Sequence, residues 1–187
     1  VRRDQMETDW YFRLFFVNFA WFVISWLLFV LINAKRMRGA GPPKKLMVVY
    51  WLDLITGWVL TWFIIYSIDV TFWIGLGIII IGLFIYALGY LAMREHPERE
   101  QVVVDWGIYK VSRHSHVLAG IICHFGVVVM GWNPDSIIYI ILCVYFVLHI
   151  ILMHFGVLCE EKLTRGMLGQ EYEDYMKRVP RYFLGRK

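Results

Sequence analysis

From Val70 to Met93 the chain runs for 24 residues without a charged side chain, and Asp69 and Arg94 stand at its two ends. At about 1.5 Å of rise per residue, one helix of that length crosses a hydrocarbon core of roughly 30 Å. Inside such a core no water can satisfy backbone N–H and C=O groups, so a helix is the form the stretch must take. Similar blocks recur. Tyr11 to Ala34 is interrupted only by Arg13 near its start, and Leu46 to Tyr66 holds a single acid, Asp53. Ile137 to Leu158 has no charge, while Val117 to Gly131 is apolar but short for a full crossing. The turn Trp132-Asn133-Pro134-Asp135 joins these last two into a helical hairpin, with Asp135 placed to cap the longer helix.

The breaks between blocks are chemically distinct. Lys35 to Lys45 carries Gly39, Gly41 and the pair Pro42-Pro43, which stop a helix, and Ser67 to Asp69 predicts a tight connection. Gly75, Gly77, Gly82 and Gly89 in the third block predict close helix packing. Past Leu158 the fifth helix is expected to continue beyond Glu160. Residues Gln170 to Arg178 then place Tyr172, Tyr175 and Met176 at helical spacing beside charges, an amphipathic helix that Pro180 ends. The expected fold is therefore an all-α polytopic membrane protein with five transmembrane helices, the last two a hairpin, and an amphipathic C-terminal helix. It forms one domain over residues 1–187, in which residues 1–100 supply a three-helix membrane part and residues 101–187 the part that carries polar chemistry.

Apolar residues make up 59% of the chain and mean hydropathy is +0.57, which a water-soluble domain of 187 residues reaches only by exposing large apolar patches. The net charge of +4 follows no face that could track nucleic acid. Sixteen of the 19 Lys and Arg residues fall in the first loop, between blocks three and four, and after block five; only Arg2, Arg3 and Arg13 lie on the other side. The positive-inside bias puts the N-terminus outside and the C-terminus in the cytosol, as an integral protein of the cell membrane. The first block is too long, and lacks the small-residue cleavage site, for a removable signal peptide. Cys123, Cys143 and Cys159 lack the pairing of a zinc site or redox dithiol and read as buried small apolar residues. No metal motif is seen. His124, His149, His154 and Asp53 lie within apolar blocks, where polar groups are costly and require partners.

Between the blocks lies a polar island, Gln101 to His116, and a second polar stretch, Glu160 to Arg181, is built to fold back against it. Gly107, Tyr109, Arg113-His114 and Gly120 form the spacing GxYxxxRHxxxxxG, followed after the hairpin by Glu160-Glu161 and by GQEYEDYMKRVPRY. In this ordered combination, over about the last 90 residues, the chain resembles the isoprenylcysteine carboxyl methyltransferase and phospholipid methyltransferase superfamily, in particular its small prokaryotic integral membrane members. The resemblance implies S-adenosylmethionine as methyl donor, S-adenosylhomocysteine as product, and a lipophilic or lipid-modified acceptor arriving from the membrane lipids, with carboxyl O-methylation among the outcomes. It implies cofactor contacts at Gln101, Val102, Val103, Val104, Tyr109, His114, Ser115, His116, Val117 and Glu160. The chain departs from the superfamily at Ser115-His116-Val117, where Pro-x-Tyr is usual, and at Gly156, where the isoprenylcysteine enzymes carry an arginine attributed to substrate binding.

Residue chemistry leads the same way. Methyl transfer from a sulfonium is an in-line displacement that needs alignment and exclusion of water but no metal. A donor bearing a carboxylate, an ammonium, a ribose and an adenine calls for a cation, an acid and aromatic or apolar walls. Arg113, Glu160 with Glu161, and Tyr109 with Tyr172 are of those types, and Val102 to Val104 can face a purine. A carboxylate acceptor needs no base; an amine or phenol needs one, such as His116 or Glu161. Arg113, Glu161 and His116 are thus the candidate catalytic residues. Two other classes stay open: an NADPH-binding reductase, since sterol reductases are similar in their C-terminal half, and a non-enzymatic membrane scaffold.

Overall fold

The computed structural model describes residues 44–94 and 103–183. The first expected span, Tyr11 to Ala34, and the expected contacts Gln101 and Val102 lie outside them. Four α-helices and one 3-10 turn make up the described residues, with no strand among them: α1 Lys44–Trp62, α2 Val70–Arg94, the 3-10 turn Gly107–Lys110, α3 Ser115–Met130 and α4 Ile137–Arg178. The helices α2, over Val70–Met93, and α4 are long and apolar enough to cross a membrane, whereas α1 and α3 are shorter apolar helices. Their outward faces are strongly apolar, with Trp73, Phe84 and Phe155 each more than 60% exposed. Lipid, not water, is the solvent such a surface suits.

Local sequence sets each start and stop. Asp69 caps α2, its Oδ1 accepting from the N–H groups of Thr71 at 2.9 Å and Phe72 at 3.1 Å. The cap of α4 is Ser136, whose hydroxyl accepts from Tyr139 N–H at 3.5 Å, and not its neighbour Asp135. Helix α1 ends at Trp62, four residues before the expected end of its block, because Ile64 and Tyr66 turn inward. There they join Phe72, Met130, Tyr139, Leu142 and Tyr145 in a buried cluster that ties all four helices together at one end. Burying those side chains outweighs the hydrogen bonds that one more helical turn would make.

Helices α2 and α3 pack backbone to backbone. A methyl group built on Gly75 would stand 2.5 Å from both Gly126 O and Met130 N, and one on Gly82 would meet Cys123 Sγ at 2.5 Å. Gly77 faces open space, so two of the four expected packing glycines make the seam. Cys123 is buried in it, whereas Cys159 is exposed, contrary to the sequence reading of that residue.

Helix α1 is held to α4 by polar groups inside the apolar layer. His149 Nδ1 lies 2.7 Å from Asp53 Oδ2, the Tyr145 hydroxyl donates to Asp53 O at 2.8 Å, and the His124 ring of α3 lies over His149 with centroids 4.0 Å apart. The acid is thus paired, as burial demands. One turn beyond Asp53 toward the helix start, the Tyr50 phenol fills the space above Gly156, where any side chain would collide with it.

Candidate functional site

Helix α4 runs well past its apolar part, which ends at Leu158, and carries Glu160 and Glu161 at the boundary. It breaks at Gly169, whose φ of 54° and ψ of −130° suit only glycine. The last segment, residues 170–178, therefore leaves the helix axis and lays Tyr172 and Tyr175 against Val103 and Val179 in a second buried cluster. The expected amphipathic face is this one.

The polar island meets this segment from the other side. Trp106 donates from its indole to Ala92 O at 2.6 Å, fixing the island to the end of α2. Gly107, at φ 55°, turns the chain so close to α2 that a methyl group on it would stand 2.8 Å from the Ala92 methyl. The 3-10 turn then buries Tyr109, whose carbonyl accepts from the Tyr175 hydroxyl at 2.8 Å. Beyond it, Arg113 N–H donates to Pro180 O at 3.0 Å and His114 N–H to Arg181 O at 3.2 Å. The Ser112 hydroxyl also donates to Arg181 O, at 3.1 Å. Two stretches nearly 70 residues apart are thus joined along their backbones.

Glu161 is the centre of this junction and only 3% exposed. Its Oε1 accepts from Arg113 at 2.8 Å and Arg181 at 3.0 Å, and its Oε2 from Arg181 at 2.7 Å. Burial alone would raise its pKa, but His114, Arg181 and Arg113 outweigh burial and hold the carboxyl well below the usual range. It stays ionised at any ordinary pH. Arg113 also donates to the carbonyls of Met176 and Val179, which closes the end of α4. Arg113 and Glu161, expected in catalytic roles, therefore bind mainly each other and the C-terminal segment.

Between the island and α4 lies a narrow cleft. Val103, Val104, Tyr109, His114 and Glu160 line it, as the resemblance implied, and so does Arg113. Ser115, His116 and Val117 occupy the first turn of α3 and do not line it. Thr164, Leu168, Tyr172 and Tyr175 complete the walls. Thr164 and Leu168 were missed by motif reading, although they follow Glu160 at intervals of four on one helical face. About 20 Å³ of space remains inside, enough for about one water. A larger depression, by Asp105, Trp106, Lys110, Arg178 and Val179, is open to solvent and bordered by the exposed Arg178–Asp105 pair at 3.4 Å, which makes it a poor enclosure for a reaction.

Two buried polar groups at the cleft are without a hydrogen bond: Arg113 Nε and both ring nitrogens of His114. A ligand carrying an anionic and a cationic group would find Arg113 Nε–H for the first and Glu160, with a side chain 44% exposed, for the second. Compared with known families, residues 34–179 match the model of a family described as a protein of unknown function, DUF1295. No curated protein and no solved structure matches the chain.

Proposed function

The chain belongs to the DUF1295 family, and from the site it carries we propose that it is an integral membrane methyltransferase that uses S-adenosylmethionine and acts on a lipophilic acceptor at the membrane boundary. The observation that carries this reading is the cleft. Five of the residues that the methyltransferase resemblance picks out in the sequence, from segments more than 45 residues apart, converge there around an unsatisfied arginine N–H and an acid. The full fold in this reading has five transmembrane helices with the cleft on the cytosolic side.

When bound, the donor supplies a methyl group on a sulfonium, already electrophilic. The protein's part is to hold and enclose. Arg113 Nε–H is placed for the donor's carboxylate and Glu160 for its ammonium, while Val103, Val104, Tyr109, Leu168 and Tyr172 provide apolar and aromatic walls for the purine. Glu161 positions Arg113 by accepting from its Nη2. Water is excluded by the segment after Gly169, which must swing away to admit a ligand of this size and close again over it. The acceptor enters from the apolar faces of α1 and α4, where the Tyr50 phenol, packed on Gly156, meets it in place of a cation. A neutral hydroxyl there favours an acceptor other than a prenylcysteine carboxylate.

The test is a titration of the purified protein with S-adenosylmethionine, S-adenosylhomocysteine and NADPH. Both methyl-cycle ligands are expected to bind, and Glu160→Ala or His114→Ala to abolish binding while the protein stays folded. Binding of NADPH alone would overturn the methyltransferase reading in favour of a reductase. A second expectation concerns closure. Tyr175→Phe removes the hydrogen bond that seals the segment onto Tyr109, worth about 1 kcal/mol, or roughly fivefold in the closed population. Turnover should fall by that factor while donor affinity changes little. Equal loss in both would make Tyr175 an ordinary cofactor contact.

A further inference from the structure

His114, His116 and Glu160 each offer one ligand atom, and the three atoms lie within 4.8 Å of one another. His114 is 2% exposed, and neither of its ring nitrogens makes a hydrogen bond. Its Nε2 stands 3.3 Å from Glu161 Oε1, off the line of a hydrogen bond, and its Nδ1 stands 3.7 Å from Glu160 Oε2. The two carboxylates thus stand at opposite nitrogens of one buried ring, Glu161 by Nε2 and Glu160 by Nδ1, with His116 on the Glu160 side.

We propose that His114, His116 and Glu160 bind a divalent transition metal of the zinc class. The donor set of two imidazoles and one carboxylate is one that zinc takes while leaving a fourth position open. Tetrahedral ligands at about 2.0–2.1 Å from the metal stand roughly 3.3 Å apart. The His114–Glu160 separation of 3.7 Å is a few tenths of an ångström from that, and the half-exposed Glu160 side chain has room to close it. Glu161 stands behind His114, 3.3 Å from Nε2, on the side where such sites carry an outer carboxylate. Two histidines two residues apart would diverge on a regular helix. Here His114 precedes the helix, with φ −123° and ψ 46°, and its ring centroid comes within 6.0 Å of that of His116. That backbone turn is why the sequence carries no recognisable metal spacing.

The site shares His114 and Glu160 with the proposed cofactor cleft but does not rest on methyl transfer. It is tested on the full chain in detergent, freed of any histidine tag and stripped with a chelator, with no methyl donor added. Zinc is titrated against a chromophoric competitor, metal content is measured by plasma mass spectrometry, and cobalt is used as a spectroscopic substitute. One zinc per chain is expected, with tetrahedral d–d bands for cobalt. His116→Ala and Glu160→Gln should each weaken zinc by about tenfold or more and abolish those bands, at unchanged thermal midpoint. Zinc bound far below one per chain, or bound equally by the wild type and both variants, would overturn the proposal. In the second case the metal sits elsewhere. Because no donor is present, failure here leaves the methyltransferase reading standing, and failure of donor binding leaves this site standing.

Discussion

Replacing Glu161 with alanine is expected to lower the thermal midpoint by roughly 10 °C, the largest fall of any single change at the site. The carboxylate is 3% exposed and accepts three hydrogen bonds from Arg113 and Arg181. Its removal leaves the buried Arg113 without its counter-charge, a loss of about 3–5 kcal/mol for a broken buried pair. The backbone bonds from Arg113 and His114 to Pro180 and Arg181 depend on the same junction, so hydrogen exchange should rise first at residues 112–114 and 170–181. Arg113→Lys should fare nearly as badly, because an ammonium cannot reach Glu161 and the two carbonyls at once in the guanidinium's fork. Asp174→Ala is the control: its pair with Lys177 is exposed, and its loss should be barely measurable. A Glu161→Ala shift no larger than that control would mean that the junction does not hold the site together.

The second large effect lies in the membrane part and has opposite signs at two glycines two positions apart. Gly75→Ala places a methyl group 2.5 Å from Gly126 O and Met130 N, backbone atoms that cannot rotate away. Helices α2 and α3 must separate along their seam, at a cost of roughly 1–3 kcal/mol. Gly77→Ala meets nothing within 4 Å and removes a poor helix former, so it should stabilise by up to about 1 kcal/mol. Thermal midpoints of the two variants in one detergent decide the matter. Destabilisation of both would show that glycine matters here for helix flexibility and not for close approach.

The glycines illustrate what one-dimensional reading can reach. Their number in one block signalled close packing, but which of them face the partner depends on the rotation of α2 about its axis, set by contacts with Cys123 and Gly126 far along the chain. The same limit explains the cap of α4. Asp135 and Ser136 are both capping residues, and only the path of the turn selects the second. Tyr66 belongs to an apolar block by composition, yet the chain leaves the helix at Trp62 because the buried cluster at the helix ends draws Ile64 and Tyr66 inward.

At the site, chemistry was legible and division of labour was not. Residue types marked Tyr109, Arg113, Glu160 and Glu161, and the resemblance to the methyltransferase superfamily added His114. Reading Arg113 and Glu161 as reactive followed from their charge. In three dimensions that charge is directed to Arg181 and to the end of α4, a partnership no local pattern announces.

By itself the amino-acid sequence determined the helical class, since uncharged stretches as long as Val70–Met93 leave the backbone no other way to satisfy its polar groups. It also determined that the helices give way around the polar island, because side-chain solvation is a local property, whereas the break at Gly169 came only with the structure. Only the tertiary structure decided which charges neutralise one another, which glycines touch, and that His114, His116 and Glu160 face a common point. Those outcomes depend on distances of a few ångströms between segments tens of residues apart, and packing, not local propensity, sets such distances.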